Sequence, residues 1–183
     1  MILGFQPVDI TPIEFEQQVK AWLDRVPHSL RDFSSTHREL ISGDSGEYEI
    51  DIVARFEVFG GAEIVVLIEC KRYKNPVKRD VVMFLEAKLR DTGAHKGIIF
   101  STAGFQRGAL EYAANRGIAT VTVQDGKTNY HTRAYGQQVE PPPWVKLSRF
   151  IGWFTTIAEN GNITNSLIND DRIEPLEEWF QPE

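Results

Sequence analysis

The order of its elements predicts that this chain is an α/β protein built on a mixed β-sheet. Residues 47–59 and 62–71 alternate apolar and polar side chains with a period of two, which predicts the two strands of a hairpin. From residue 75 to residue 123, helix and strand patterns follow one another in turn. Because strand–helix–strand succession at these lengths requires parallel pairing with helical crossovers, the sheet is expected to be mixed.

The first element is predicted to be a helix that begins beside Thr11. Thr11 is the expected N-cap, Pro12 takes the first helical position, and Glu14 is placed to close a capping box. The apolar stripe that follows at helical spacing consists of Phe15, Val19, Trp22, Leu23 and Val26. Residues 28–46 are polar, so an irregular stretch is expected there, with one short strand at about 36–41.

The hairpin that follows is predicted to place a central strand in the sheet. Glu47–Phe59 reads as a half-buried strand, Gly60-Gly61 turns the chain, and Ala62–Lys71 carries apolar residues on both faces, as central strands do. The downstream elements are expected to be a helix from Asn75-Pro76 to about Gly93, a strand over 97–101, a helix over 105–116 and a strand over 118–123.

The C-terminal part is expected to be a helical appendage. Pro141-Pro142-Pro143 resembles a stiff linker, and apolar residues over 144–157 predict one more helix. The chain is therefore divided into a domain at 1–136 and an extension at 137–183. We expect the apolar stripe and Trp179 to pack either on their own domain or on a second subunit, which would give a homodimer.

Composition and charge limit the classes of function. No apolar run is long enough to cross a membrane and no signal peptide is evident, so a cytoplasmic protein is expected. The single cysteine, Cys70, excludes an internal disulfide and a cysteine-based zinc site. The net charge is −6, yet residues 71–130 hold 11 basic and 5 acidic side chains. This middle segment can face a polyanion.

The apolar pattern of the hairpin also predicts its register. A two-residue turn would place Ile52 and Ile68 on opposite faces of the sheet. An odd-length loop or a bulge gives paired residue numbers an even sum such as 120, which sets Ile52 opposite Ile68 and Asp51 opposite Glu69. Since Glu69 and Lys71 are two apart on one strand, this register gathers Asp51, Glu69 and Lys71 on one face.

Two carboxylates and an amine on one face are suited to metal-dependent hydrolysis of a phosphodiester. Asp51 and Glu69 offer the oxygen ligands that Mg²⁺ prefers, and Mn²⁺ is an expected substitute. Lys71 is placed to orient the attacking water or to contact the phosphate. The rival interpretation is that Glu69 and Lys71 form an ordinary charged pair at the end of a strand.

Several motifs in order carry a resemblance to a known family. They are Phe15-Glu16, Gly43-Asp44-Ser45-Gly46, Ile50-Asp51-Ile52, Ile68-Glu69-Cys70-Lys71-Arg72, Lys96-Gly97-Ile98-Ile99-Phe100-Ser101-Thr102 and the segment from Ala109 to Gly117. Together, over about residues 13–124, they resemble the Mrr-type restriction endonuclease catalytic domain, a PD-(D/E)xK nuclease. The resemblance implies a restriction-endonuclease-like fold, a metal-dependent nuclease activity and DNA as the partner.

The resemblance also assigns roles to residues. The family's aspartate falls on Asp51, its acidic or glutamine position on Glu69, its lysine on Lys71 and its first-helix glutamate on Glu16. Many members have glutamine where this chain has Glu69, which strengthens the metal interpretation. The glycine-rich approach to the aspartate is replaced here by Glu47-Tyr48-Glu49, so that Glu49 is either an additional ligand or a solvated charge.

Two further groups of residues are candidates for the site. At about 100° per residue, Glu16 borders the apolar stripe of the first helix and can lean over the sheet, so Glu16 is a candidate metal ligand. The basic residues that follow the site are candidates for DNA phosphate contacts, or else form a solvated loop and helix start. They are Arg72, Lys74, Lys78 and Arg79.

These features favour a metal-dependent DNA endonuclease, acting in restriction of foreign DNA. Two alternatives stay open. One is a nucleic-acid-binding or assembly module that keeps the fold without cleaving, and the other is a repair or junction-resolving nuclease with the same site. A nuclease assay with and without Mg²⁺ separates the first from an enzyme.

Overall fold

The computed structural model describes residues 8–26, 30–126, 147–158 and 160–181. In these ranges the chain forms seven strands and four helices. The strands are β1 (Arg31–Gly43), β2 (Gly46–Val58), β3 (Ala62–Lys71), β4 (Lys96–Ser101), β5 (Ala119–Asp125), β6 (Phe150–Ile157) and β7 (Ile163–Ile168). The helices are α1 (Pro12–Leu23), α2 (Arg79–Thr92), α3 (Arg107–Asn115) and α4 (Glu174–Phe180).

All seven strands join one sheet, and their order across the sheet is their order in the sequence. β1, β2 and β3 pair antiparallel, β3, β4 and β5 pair parallel, and β5, β6 and β7 pair antiparallel. α2 and α3 are the crossovers between the parallel strands. The predicted α/β fold with a mixed sheet is therefore confirmed. None of the helices in the described ranges combines the length and apolarity needed to cross a membrane.

Helix α1 begins where its capping residues predict. The Thr11 hydroxyl accepts a hydrogen bond from the Glu14 N–H at 3.3 Å, and the Glu14 carboxylate accepts one from the Thr11 N–H at 2.8 Å. This reciprocal pair satisfies two backbone donors that a helix end otherwise leaves without partners. The helix then buries Phe15, Val19 and Trp22 against the sheet.

The hairpin between β2 and β3 has the predicted even register. Val58 pairs with Ala62 around a loop of three residues, Phe59-Gly60-Gly61, each of which has a positive φ. Ile52 consequently lies opposite Ile68, with both side chains fully buried in the same core. The odd loop length thus provides the register that the apolar pattern requires.

The short strand expected at about 36–41 is present but longer than predicted, and the irregular structure expected in the rest of residues 28–46 is wrong for the part that the structure describes. Arg31–Gly43 forms a 13-residue strand, β1, which pairs with β2 along nearly its whole length at the edge of the sheet. Its side chains alternate between exposed and half-buried positions, so the period of two is present but carried by polar residues. An edge strand needs little apolar character because backbone hydrogen bonds to its neighbour hold it in place.

The predicted helix over residues 144–157 is also wrong where the structure describes that segment. Phe150–Ile157 is strand β6, which pairs antiparallel with β5. The segment is rich in β-branched and aromatic residues, which favour a strand. Pairing with β5 forms that strand. At Gly152 a Cβ atom would lie only 3.1 Å from Val121 Cγ1, which shows how closely the strand packs. The linker Pro141-Pro142-Pro143, Trp144 and the boundary at 136–137 lie outside the described residues.

Within residues 147–158 and 160–181, the helical part of the C-terminal extension is α4, which closes one face of the core. Leu176 and Phe180 are fully buried there. The Phe180 ring makes edge-to-face contacts with Phe33, Phe56 and Trp179 at centroid distances of 5.9, 5.7 and 5.3 Å. The C-terminal segment therefore completes the same core to which α1 and β2 contribute.

Phe180→Ala is expected to lower the free energy of unfolding by about 3–5 kcal/mol, because it leaves a cavity in that core. The matched control is Phe84→Ala, since the Phe84 side chain is 72% exposed on α2. The control should change stability by less than about 0.5 kcal/mol. Urea denaturation of the two variants measures the difference, and equal midpoints would show that α4 does not belong to the folding unit.

Candidate active site

The end of the central strand β3 brings together the three residues that the sequence predicts for the site. The Lys71 ammonium donates a hydrogen bond to Glu69 Oε2 and lies 4.0 Å from Asp51 Oδ2. Glu69 and Lys71 share a face because they are two residues apart on one strand. Asp51 reaches the same point from β2, so one lysine contacts both carboxylates.

Asp51 is fixed to β3 by a backbone hydrogen bond. Paired residues of β2 and β3 run as far as Ile52 and Ile68, and just beyond them Asp51 Oδ2 accepts the N–H of Cys70 at 2.7 Å. Burial raises the pKa of the Asp51 carboxyl, and the charge of Glu69 adds to the effect, against the lowering by the Cys70 hydrogen bond. A nearby cation would stabilise the ionised form of such a group.

A second lysine at the site, Lys88, escaped the sequence analysis. Its ammonium donates to Glu69 Oε1 at 2.6 Å, so both oxygens of the buried Glu69 carboxylate bind lysines. Lys88 lies seven residues after Val81 and three after Leu85, on the stripe of α2 that faces the sheet. A lysine on an inward-facing helical stripe is the signal by which it could have been found.

A cleft of about 190 Å³ opens beside these groups. Its lining combines the charged residues with part of α2: Glu69, Lys71, Tyr73, Val81, Phe84, Leu85 and Lys88. Burial would lower the pKa of Lys71, but the charge and the hydrogen bond of Glu69 outweigh it, and the pKa is raised. The protonated form of Lys71 is therefore stabilised at the wall of the cleft.

Glu16 lies near the pair of carboxylates but has different partners. Its buried carboxylate accepts hydrogen bonds from Arg38 Nε at 3.1 Å and Arg38 Nη2 at 3.4 Å, and it lies 2.7 Å from His37 Nε2. Within the described ranges, no three His, Cys, Asp or Glu side chains are placed to hold one metal ion. The structure thus joins Asp51 and Glu69 but does not add Glu16 to them as a third ligand.

Family comparison identifies the kind of domain that carries this site. A model of the Mrr catalytic domain, described as restriction endonuclease, matches residues 9–128, which include every element from α1 to β5. The chain belongs to the Mrr-type restriction endonuclease family. The predicted restriction-endonuclease-like fold is confirmed with it, and the nuclease is the class of enzyme that the family represents. Comparison with curated proteins gives no match.

Two solved structures are similar to parts of this Mrr-type chain. One is a protein of unknown function, AF1548, with 23% identity and a TM-score of 0.47, covering 59% of this chain and 55% of that one. The other is the DNA modification-dependent restriction endonuclease AspBHI, with 18% identity and a TM-score of 0.38, covering 63% and 34%. The chain thus spans about half the length of the first protein and a third of the second.

The donor set of the Mrr-type site fits a hard divalent cation. Asp51 and Glu69 supply carboxylate oxygens, and Mg²⁺ commonly uses one or two carboxylates while retaining several waters. The surroundings are strongly acidic: the pKa of the Cys70 thiol is raised well above its ordinary range, first by burial and then by the charges of Asp51, Glu16 and Glu69. The negative field of three carboxylates favours a cation at this end of β3.

The predicted DNA-contacting residues have different surroundings. Arg72 donates from Nε to the carbonyl of Ile10, and the Arg79 guanidinium lies 4.6 Å from the centre of the Tyr112 ring. Both have structural partners. Lys74 and Lys78 are exposed, and their ammonium groups form no hydrogen bond or ion pair with any described residue. Of the four, these two lysines are the most available to a ligand.

The long β1–β2 hairpin, which carries Asp51, is anchored to the end of α2 by Asp91. The Asp91 carboxylate accepts hydrogen bonds from the Ser45 N–H at 3.0 Å, the Ser45 hydroxyl at 2.6 Å and the Tyr48 hydroxyl at 2.9 Å. These bonds, led by the Ser45 hydroxyl, lower the pKa of Asp91. A Cβ atom on Gly43 would lie 2.3 Å from Asp91 Oδ2, so glycine permits this approach.

Replacing Asp91 by asparagine should destabilise the protein in a pH-dependent way. Because its folded pKa lies below the unfolded value of about 4, the carboxylate stabilises the protein above that pH and loses its effect as pH falls through the folded value. The melting temperature of Asp91→Asn should therefore lie below wild type at pH 7 and approach it below about pH 4. Asp171→Asn, in an exposed turn, is the control. A constant difference from pH 7 to pH 3 would contradict the anchor.

Proposed function

We propose that this Mrr-type chain is a metal-dependent DNA endonuclease that hydrolyses phosphodiester bonds in the restriction of foreign DNA. The observation that carries the proposal is the position of the Lys71 ammonium between the carboxylates of Glu69 and Asp51. The family match to restriction endonucleases supports the reaction and the substrate. The cleft is lined by Glu69 and Lys71, and in this proposal a phosphate reaches these two groups through it.

In this proposal each site residue has a separate role. Asp51 and Glu69 hold Mg²⁺, for which Mn²⁺ can substitute. The bound ion would supply a water of lowered pKa and neutralise charge on the phosphate. Lys71, kept protonated by Glu69, donates a hydrogen bond to the attacking water or to a phosphate oxygen.

Lys88 takes the role of holding Glu69 in its catalytic position. Its ammonium occupies one carboxylate oxygen while Lys71 occupies the other, so that the buried Glu69 is neutralised before any ligand arrives. A carboxylate buried without such partners would carry a large desolvation cost. An ionised carboxylate has about four acceptor sites on its two oxygens, so Glu69 would retain capacity for a cation while both lysines stay bound.

A second candidate is a DNA-binding module that keeps the fold without cleaving. It is favoured by the same contacts, because Glu69 has both oxygens bound by lysines and can be a purely structural ion-pair centre. A repair or junction-resolving nuclease would share the site and differ only in its DNA. Cleavage in Mg²⁺ decides against the silent module.

Double-strand cleavage requires two sites of this kind, and we propose a homodimer as their source. Of the expected apolar stripe, Ile151 and Phe154 are buried within the chain's own core, and Trp144 lies outside the described residues. Trp179 likewise contacts Phe180 and the ammonium of Lys96. The dimer would therefore use another surface, and solution mass measurement of the full chain tests whether it forms.

Asp51→Asn and Glu69→Gln should each reduce cleavage by at least about 100-fold, because each removes a metal-binding charge. DNA binding should survive or strengthen, since each change reduces repulsion toward phosphate. Plasmid cleavage in Mg²⁺ and binding in EDTA measure the two effects.

Glu174→Gln is the control for these variants, because Glu174 forms an ion pair with Arg172 near the C-terminal end of the described residues. It should cleave like wild type. If Asp51→Asn or Glu69→Gln cleaves at the wild-type rate in Mg²⁺, the metal assignment is wrong.

Replacing both Lys74 and Lys78 by glutamine should weaken binding to all DNA sequences alike. The slope of log binding constant against log salt concentration should fall by up to about two, because each phosphate contact releases a counterion. The control carries the same charge change elsewhere, in Lys20→Gln with Arg172→Gln. An unchanged salt slope in the first double variant would place the DNA on another surface.

A further inference from the structure

Arg38 has a backbone conformation that is unusual for its residue type. Its φ is +53°, in the left-handed region that residues other than glycine rarely adopt. Along a regular strand, successive side chains point to opposite faces. His37 and Arg38, although adjacent on β1, both reach the carboxylate of Glu16. Such a conformation persists only where the surrounding contacts hold it.

The position of Arg38 is next to the proposed catalytic aspartate. His37 pairs with Ile52 and Glu39 pairs with Ile50, so Arg38 is the residue of β1 that faces Asp51 across the hairpin. Lys71 approaches Asp51 from the other side, on β3. Asp51 therefore lies between two cationic side chains that belong to the two neighbouring strands.

Only part of the Arg38 guanidinium is used within the protein. Nε and Nη2 donate to the two oxygens of Glu16, at 3.1 and 3.4 Å. Nη1 has no hydrogen-bond partner in the part of the chain that the structure describes, and the side chain is 47% exposed. The buried Glu16 thus holds one edge of the guanidinium and leaves the other edge toward solvent. Arginine matches phosphate oxygens with such a free edge.

The carboxylates around the site favour a cationic side chain at the position of Arg38. Asp51 and Glu69 both lie beside the Lys71 ammonium, and the Glu16 carboxylate binds Arg38. A DNA phosphate that approaches this group of carboxylates is repelled unless positive groups lie beside its path. Lys71 supplies one on the β3 side, and Arg38 is the corresponding group on the β1 side.

We propose that Arg38 binds a phosphate of the substrate strand beside the Asp51–Glu69 site, and that Glu16 is the positioning residue that holds its guanidinium. The inference rests on the proposed nuclease function and deepens it by naming a phosphate-binding group outside the basic run at 71–79. It also gives Glu16 a role different from that of a metal ligand. His37 completes the positioning by bonding the same Glu16 oxygen as Arg38 Nε.

The test compares Arg38→Gln with wild type for binding of a duplex oligonucleotide in EDTA and for plasmid cleavage in Mg²⁺. Loss of one phosphate contact should weaken binding about 10-fold, lower the salt slope by about one ion, and reduce cleavage about 10- to 100-fold. Arg172→Gln is the control, since Arg172 is similarly exposed and also pairs with a glutamate. Equal binding and salt slope in Arg38→Gln and wild type would overturn the inference.

A second variant separates the loss of the phosphate contact from a loss of folding. Arg38→Asn removes the guanidinium but suits the positive φ, because asparagine tolerates the left-handed conformation. It should keep a cooperative thermal transition and show the same weakened binding. A folded Arg38→Asn protein that binds DNA like wild type would overturn the inference.

Glu16→Gln separates positioning from metal binding. If Glu16 positions Arg38, the variant weakens DNA binding in EDTA, and the Mg²⁺ concentration for half-maximal cleavage stays unchanged. A raised Mg²⁺ requirement with unchanged binding in EDTA would make Glu16 a metal ligand and overturn its positioning role.

Different results would contradict the nuclease activity and the role of Arg38. Wild type that binds DNA without cleaving it would refute the nuclease, while the binding comparison would still decide the role of Arg38. Wild type that does not bind DNA would refute both.

Discussion

The candidate site depends on the register between β2 and β3. The three-residue loop Phe59-Gly60-Gly61 gives paired residues an even sum, which places Ile52 against Ile68 in the core. The same register sets Asp51 where the Cys70 N–H can bind it and where Lys71 reaches both carboxylates. A slip of one residue would move Asp51 to the other face and expose Ile52. Packing of the core and assembly of the site therefore stabilise one register together.

Around this hairpin each buried carboxylate has basic side chains as its partners. Glu69 has Lys71 and Lys88, and Glu16 has Arg38 and His37. Buried charges are tolerated only with such partners. The basic partners come from three elements, with Arg38 and His37 on β1, Lys71 on β3 and Lys88 on α2, so the site is held by the sheet on both sides of Asp51 and by α2. The same basic side chains are placed to bind a phosphate. One set of residues can therefore stabilise the fold and bind the substrate.

Local patterns predicted most of the fold and the centre of the site. Capping residues located the start of α1, and apolar alternation located β2 and β3 and their register. β6 and the full length of β1 could not be predicted in this way, because their stability comes from pairing with distant strands rather than from their own composition. Lys88 and Arg38 were missed for a related reason: their importance lies in contacts across α2 and across the hairpin, which single-residue patterns do not contain.

The central claim is that Asp51, Glu69 and Lys71 form a metal-dependent nuclease site. Cleavage of supercoiled plasmid DNA by the full chain in Mg²⁺, in EDTA and with Lys71→Ala tests it most directly. The account predicts cleavage by wild type in Mg²⁺, none in EDTA, and a loss of at least about 100-fold in Lys71→Ala, whose fold should persist because the lysine is partly exposed at the strand end. Cleavage that is equal in wild type and Lys71→Ala, or that continues in EDTA, would contradict it.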